Sequence, residues 1–108
     1  MNYEKEKKEN YTVYSISGNL DIYSINDLKK ELLKSIDEEK IERLVFNMKK
    51  VQHMDSSGIG FLAFFYKKMK TNDGKFILTE IAPHVMAILN MASLDSYFEI
   101  KKSENEII

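Results

Sequence analysis

The sequence predicts a single α/β domain, with a mixed, mostly parallel β-sheet of four to five strands packed against helices. Three observations carry that expectation. Segments rich in β-branched and aromatic residues alternate with segments whose apolar residues recur at helical spacing, in the order β-β-α-β-α-β-α-β. A helical crossover joins parallel neighbours, so the later strands are parallel while the opening pair is free to be antiparallel. The 108 residues suit one domain spanning 1–108, with no internal repeat and no low-complexity linker.

Each element has its own signal. Met1 to Glu9 alternates charge with few apolar anchors, which reads as an edge strand in preference to a frayed start. Tyr11 to Ser17 is β-branched and aromatic, and Gly18-Asn19 supplies turn chemistry to end it. Ser24 with Asp27 forms a capping-box pattern ahead of a helix whose apolar face is Ile25, Leu28, Leu32, Leu33 and Ile36. Lys29, Lys30, Lys34 and Glu38 make the solvent face. Leu44-Val45-Phe46, within Ile41 to Asn47, reads as a central buried strand.

A loop through Val51 and His53 then leads to Met54-Asp55-Ser56-Ser57-Gly58-Ile59-Gly60 and a strongly apolar helix from Phe61 to about Lys70. On that helix Leu62, Phe65, Tyr66 and Met69 form one stripe. Phe61 and Phe64 either widen the core face or present an aromatic patch to a partner. Asn72-Asp73-Gly74 breaks the helix before the strand Lys75 to Thr79. Pro83, the one proline, suits the first turn of a third helix bearing Val85, Ile88, Leu89 and Met91. A short strand near Phe98 to Ile100 closes the domain, and 101–108 reads as a tail.

Composition excludes several functions. Sixteen basic and 17 acidic residues leave a net charge of −1 and no basic stripe, which argues against nucleic acid as a partner. The absence of cysteine removes disulfides, thiolate nucleophiles and cysteine metal sites. The polar start carries no apolar signal region, and no apolar run approaches the roughly 20 residues needed to cross a bilayer. A cytoplasmic protein is expected.

Enzyme chemistry finds little support. A nucleophile elbow needs glycine two residues before the serine, where Ser56 has Met54 and Ser57 has Asp55. His53 is near enough in sequence to reach Ser56, yet no orienting partner stands at recognisable spacing, and His84 reads as a surface residue. Two isolated histidines make no metal motif. Gly58-Ile59-Gly60 lacks both a dinucleotide glycine pattern and a P-loop Gly-Lys-Ser/Thr. No catalytic residue, metal or cofactor is therefore expected. The Asp55-Ser56-Ser57-Gly58 segment has a plain reading as a helix cap. It has a functional one too, because it follows a strand and so falls at the carboxyl end of the sheet, where its glycines bare the backbone around Ser56.

Met54 to Gly60 resembles the Asp-Ser-Ser/Ala-Gly-Leu-Gly signature of STAS domains, and within that family the anti-sigma-factor antagonists. Ser17-Gly18-Asn19-Leu20-Asp21 is similar to the family's Gly-x-Leu/Ile-Asp turn. Leu44 to Asn47 resembles the strand ahead of the signature, and Ile88 to Leu94 the late helix and its turn. The resemblance implies that Ser56 is phosphorylated by a partner that is itself the anti-sigma factor. It further implies that the unmodified form binds this serine kinase and frees a sigma factor, and that a serine phosphatase reverses the modification. The implied partner surface is Asp21, Asp55, Ser56, Ser57, Gly58, Ile59 and Gly60. A phosphoserine adds about −1.5 to −2 charge beside two aspartates, while the helix N-terminus, with its free N–H groups, tolerates the anion. Ala92 departs from the glycine of many relatives, and the short tail implies a reduced terminal helix. Two other readings stand beside this one: a STAS subunit of a lipid-transport or stress-signalling assembly, and a small hydrolase using Ser56 and His53. A monomer is expected, or a weak dimer through the apolar second helix.

Overall fold

The computed structural model describes residues 1–107. Its elements are β1 (Asn2–Lys7), β2 (Thr12–Leu20), α1 (Ile25–Glu38), β3 (Arg43–Met54), α2 (Ser56–Thr71), β4 (Lys75–Thr79), α3 (Pro83–Met91) and β5 (Glu99–Lys101). The sheet order is β1-β2-β3-β4-β5, antiparallel between β1 and β2 and parallel thereafter. Each crossover steps one strand in the same direction. Right-handed crossovers of that kind place all three helices on one face of the sheet.

Strand alternation divides the apolar residues accordingly. Tyr14, Ile16, Leu44, Phe46, Met48, Phe76, Leu78 and Phe98 face the helices and meet Leu28, Leu32, Ile36, Leu62, Phe65, Met69, Val85 and Leu89. Val13, Val45 and Ile77, directly opposite one another across three strands, form a small row on the other face. Phe61 is buried against Phe46, so the widened apolar side of α2 belongs to the core. Phe64 is 41 % exposed, yet Lys29 of α1 sits 4.5 Å above its ring.

The edge strand β1 forms as expected, although all six of its residues are exposed. Lys5 ties it to the helix layer through Glu31 of α1 and Glu39, the residue that caps its end. Burial of Tyr14 requires a partner for its hydroxyl, which donates to Glu31 at 2.8 Å.

Several boundaries differ from expectation. Gly18-Asn19 does not end β2. Gly18, at φ +91°, absorbs a register shift, and β2 continues to the buried Leu20. The glycine marks a bulge, not a turn. The expected loop through Val51 and His53 is the second half of β3, because the prolonged β2 supplies its pairing from Ser17↔Lys50 to Leu20↔Met54. Met91 is not part of the core stripe of α3: it is 88 % exposed, since the helix ends there and only Val85 and Leu89 are buried. Ala92 has an ordinary φ of −85°, and the left-handed residue after α3 is Ser93, so the missing glycine leaves the turn intact.

The expected tail is largely built structure. Lys101 closes β5, and Glu104–Glu106 forms one 3-10 turn lying on the helix-free face. Tyr11 donates to Glu104 Oε1 at 2.9 Å, and Asn47 Nδ2 donates to Glu104 Oε2 at 3.1 Å and Glu80 Oε2 at 2.8 Å. Ile107 covers the Val13–Val45–Ile77 row. Short-range sequence patterning could not show this cover, because its partners lie about 60 to 90 residues away, the Tyr11–Glu104 pair being 93 apart and Asn47–Glu104 57 apart. Ile108, the end of the expected tail, lies outside the described residues.

Candidate functional site

The site is built at the carboxyl end of the parallel strands, where β2 gives way to the turn before α1 and β3 gives way to α2. The two junctions are bonded to each other: the Asp55 amide donates to the Leu20 carbonyl at 3.2 Å. Gly58 makes that approach possible. A Cβ there would fall 2.4 Å from the Leu20 carbonyl oxygen and 2.6 Å from Met54 Cγ. Gly58 is therefore buried for packing, and the bare backbone expected around Ser56 is supplied by Gly60 alone, which is exposed with nothing within 4 Å of such a Cβ.

Asp55 is the N-cap of α2. Its Oδ1 accepts the Ser57 amide at 2.8 Å and the Gly58 amide at 3.1 Å, and its carbonyl accepts the Ile59 amide at 3.0 Å. These bonds correct the expectation of free N–H groups at this helix start. Most first-turn donors are already spent on Asp55, so an anion on Ser56 gains the helix dipole but few donors, and it meets the Asp55 carboxylate. Ser56 occupies the first helical position with its side chain exposed, while Ser57 and Ile59 are half-buried.

Asp21 is bound up in its own turn. Its Oδ1 accepts the Tyr23 amide at 3.0 Å and lies 2.9 Å from the Ser24 hydroxyl. That hydroxyl also donates to the Asn19 carbonyl at 2.6 Å. Ser24 precedes α1 as expected, but the capping box does not form: its hydroxyl is drawn back to Asn19 and Asp21 and makes no cap bond. The turn leaves Ile22 58 % and Tyr23 92 % exposed. Sequence reasoning passed over this pair. The available signal was two large apolar residues between a turn aspartate and a helix start, outside any periodic stripe.

The structure thus brings Asp21, Asp55, Ser56, Ser57, Gly58, Ile59 and Gly60 together on one end of the sheet. Both His53 and Ser56 are exposed, and among the described residues no hydrogen bond joins them. His84 Nε2 donates instead to the Gln52 carbonyl at 2.7 Å, which fastens α3 to β3. A depression of about 310 Å³ on the helix-free face, lined in part by Glu4, Ser15, Asn47 and Lys49, includes none of the site residues. No group of three or more metal-ligating side chains occurs among the described residues, and no helix there is long and apolar enough to cross a membrane.

Ser56 is thus an exposed hydroxyl at the capped start of α2, and the chain that carries it is similar to known proteins over nearly its whole length. The chain is 27 % identical to an anti-sigma F factor antagonist of Paenibacillus polymyxa over 101 residues, covering 94 % of this chain and 86 % of that protein. It is 25 % identical to an anti-sigma-B factor antagonist of Bacillus subtilis over 108 residues, covering 99 % and 97 %. In fold it matches the structure of the anti-sigma factor antagonist SpoIIAA in its unphosphorylated form, with a TM-score of 0.82 at 20 % identity, over 98 % of this chain and 93 % of that one. The model of the STAS domain family matches residues 2–107, and so takes in the sheet, its three helices and the Ser56 turn alike: the chain belongs to the STAS domain family.

Proposed function

We propose that the protein is an anti-sigma-factor antagonist whose unmodified form binds an anti-sigma factor with serine kinase activity and releases a sigma factor, and that phosphorylation of Ser56 ends the binding. The observation that carries the reading is the placement of Ser56. It is an exposed hydroxyl at the first position of α2, on a turn fixed by the Asp55 cap and the Leu20–Asp55 bond.

A kinase must bring that hydroxyl into its own active site, so its docking surface is the surface around Ser56. Adding about −1.5 to −2 charge next to Asp55 concentrates negative charge at the centre of that surface. Its mismatch with a docked partner costs roughly 2–5 kcal/mol, which weakens binding by about thirtyfold to several thousandfold. The Ser56 side chain itself is exposed, so the domain stays folded while the complex dissociates. A serine phosphatase then restores the binding form. Asp21 and Asp55 act by holding the two loops in place, the buried Gly58 lets those loops pack together, and Ser57, Ile59 and Gly60 form the docking rim.

Intact-mass measurement and peptide mapping after incubation with ATP and each anti-sigma kinase of the same genome test the reading. One phosphate on Ser56, absent from Ser56→Ala and coupled to release of the kinase, is expected. No modification by any of those kinases sinks the reading, and a phosphate confined to Ser57 moves the switch by one residue.

A further inference from the structure

Few large apolar side chains stand clear of the core, and most have a local explanation. Met91 lies at the far end of α3, and Phe64 is roofed by Lys29. Ile22 and Tyr23 differ. They are consecutive, they are 58 % and 92 % exposed, and they sit on the turn that follows Leu20, the last residue of β2, whose carbonyl accepts the amide of Asp55, the cap of the Ser56 helix.

Their backbone is held. Asp21 Oδ1 accepts the Tyr23 amide at 3.0 Å, the Asp21 carbonyl accepts the Ser24 and Ile25 amides at 3.1 and 3.3 Å, and the Ser24 hydroxyl ties the turn to the Asn19 carbonyl at 2.6 Å. An exposed tyrosine on a fixed backbone loses only two side-chain torsions on binding. It therefore offers large contact area at small entropic cost, which is why tyrosine recurs among the residues that dominate interfaces.

We infer that Ile22 and Tyr23 are the hydrophobic anchor of the kinase interface, holding the partner by apolar contact while the charge on Ser56 gates the complex. The inference rests on the proposed function and names the part of that surface which holds the partner. The occupant follows from the position of Ser56. A protein that phosphorylates Ser56 covers its surroundings, and a standard footprint of about 800 Å² per partner centred there takes in the adjoining turn. A second copy of this chain on the same patch would bury Ser56 and block its modification. Because the anchor is apolar and uncharged, its contribution persists in high salt, whereas the phosphate effect is electrostatic.

Titration calorimetry of the wild type, Tyr23→Ala and Tyr23→Phe against each purified anti-sigma kinase of the same genome tests the inference, with thermal melts of every variant. Tyr23→Ala is expected to bind about thirtyfold more weakly at an unchanged melting temperature, and Tyr23→Phe to stay within about threefold of the wild type. Tyr23→Ala is phosphorylated on Ser56 with a raised KM at an unchanged kcat. Wild-type affinity in Tyr23→Ala, with a wild type that binds and is phosphorylated, overturns the anchor and leaves the antagonist reading standing. A wild type that binds none of the kinases removes both. A self-association of the free chain that Tyr23→Ala abolishes assigns the patch to a second copy and overturns the inference as well.

Discussion

Gly58 and Gly60 lie on the same helix, and one substitution is expected to move stability in opposite directions at the two positions. At Gly58 an added Cβ falls 2.4 Å from the Leu20 carbonyl oxygen, 2.6 Å from Met54 Cγ and 3.0 Å from Leu20 Cβ. The Met54 side chain can rotate aside. The carbonyl cannot, because it belongs to β2 and accepts the Asp55 amide. Overpacking costs about 1–3 kcal/mol, and contact with fixed backbone puts this case near 3; the gain in helix propensity from glycine to alanine returns about 1. The net loss is about 2 kcal/mol, a fall of roughly 10 °C in Tm for a domain of this size. At Gly60 nothing lies within 4 Å, so only the propensity gain remains. Gly60→Ala should stabilise by about 0.5–1 kcal/mol. Urea titration and thermal melting followed by circular dichroism measure both. A Gly58→Ala protein that melts at or above the wild type would refute the claim that Gly58 is required by the close passage of α2 over β2.

The other expectations concern the cap and the titrating network of β1 and α1. Asp55→Ala should lose about 1 kcal/mol in urea unfolding, because two first-turn amides lose their acceptor, while Asp55→Asn, which still caps, should stay near the wild type. The Ser35 hydroxyl above all, aided by Tyr14 and Lys5, holds the Glu31 carboxyl below its ordinary 4.5. The folded chain thus binds that proton less tightly than the unfolded chain. This contribution is complete above about pH 4.5 and drains as pH falls through the lowered value, so Glu31→Gln should flatten the acid limb of the urea midpoint against pH. Burial and Glu104 push the Tyr11 hydroxyl from 10.0 up to about 12. Its contribution is complete below pH 10.0 and is lost as pH rises toward about 12, and Tyr11→Phe should remove that alkaline loss.

Much of the site was legible because its signals are local. Asp55 ahead of Ser56-Ser57-Gly58 is a cap pattern confined to one helical turn, and the structure forms that cap bond for bond. The Ser24–Asp27 pattern is as local and failed, because the Ser24 hydroxyl turns back into its own loop, where its oxygen accepts the Asp21 amide and its proton goes to the Asn19 carbonyl. A local pattern holds only when no other group, near or far in sequence, outbids it. Gly18 shows the same limit: a glycine followed by asparagine has the composition of a turn, and only the pairing partner in β3 makes it a bulge inside a longer strand.

By itself, the sequence determined which segments are strands and which are helices, the parallel character of the later sheet, the capped start of α2 and the serine it carries. Those properties rest on periodicity, propensity and side chains reaching no farther than one turn. Tertiary structure alone decided that all the helices share one face, that β2 and β3 run on together to Leu20 and Met54, and that Gly58 is a packing residue. It also decided that residues near the C-terminus cover the opposite face and that Ile22 and Tyr23 stand exposed on the turn after Leu20, which is bonded to Asp55. Each of these depends on which distant backbone or side chain arrives next to a residue, through contacts such as Asp55 to Leu20 and Tyr11 to Glu104. A linear pattern of residue types carries no measure of that distance.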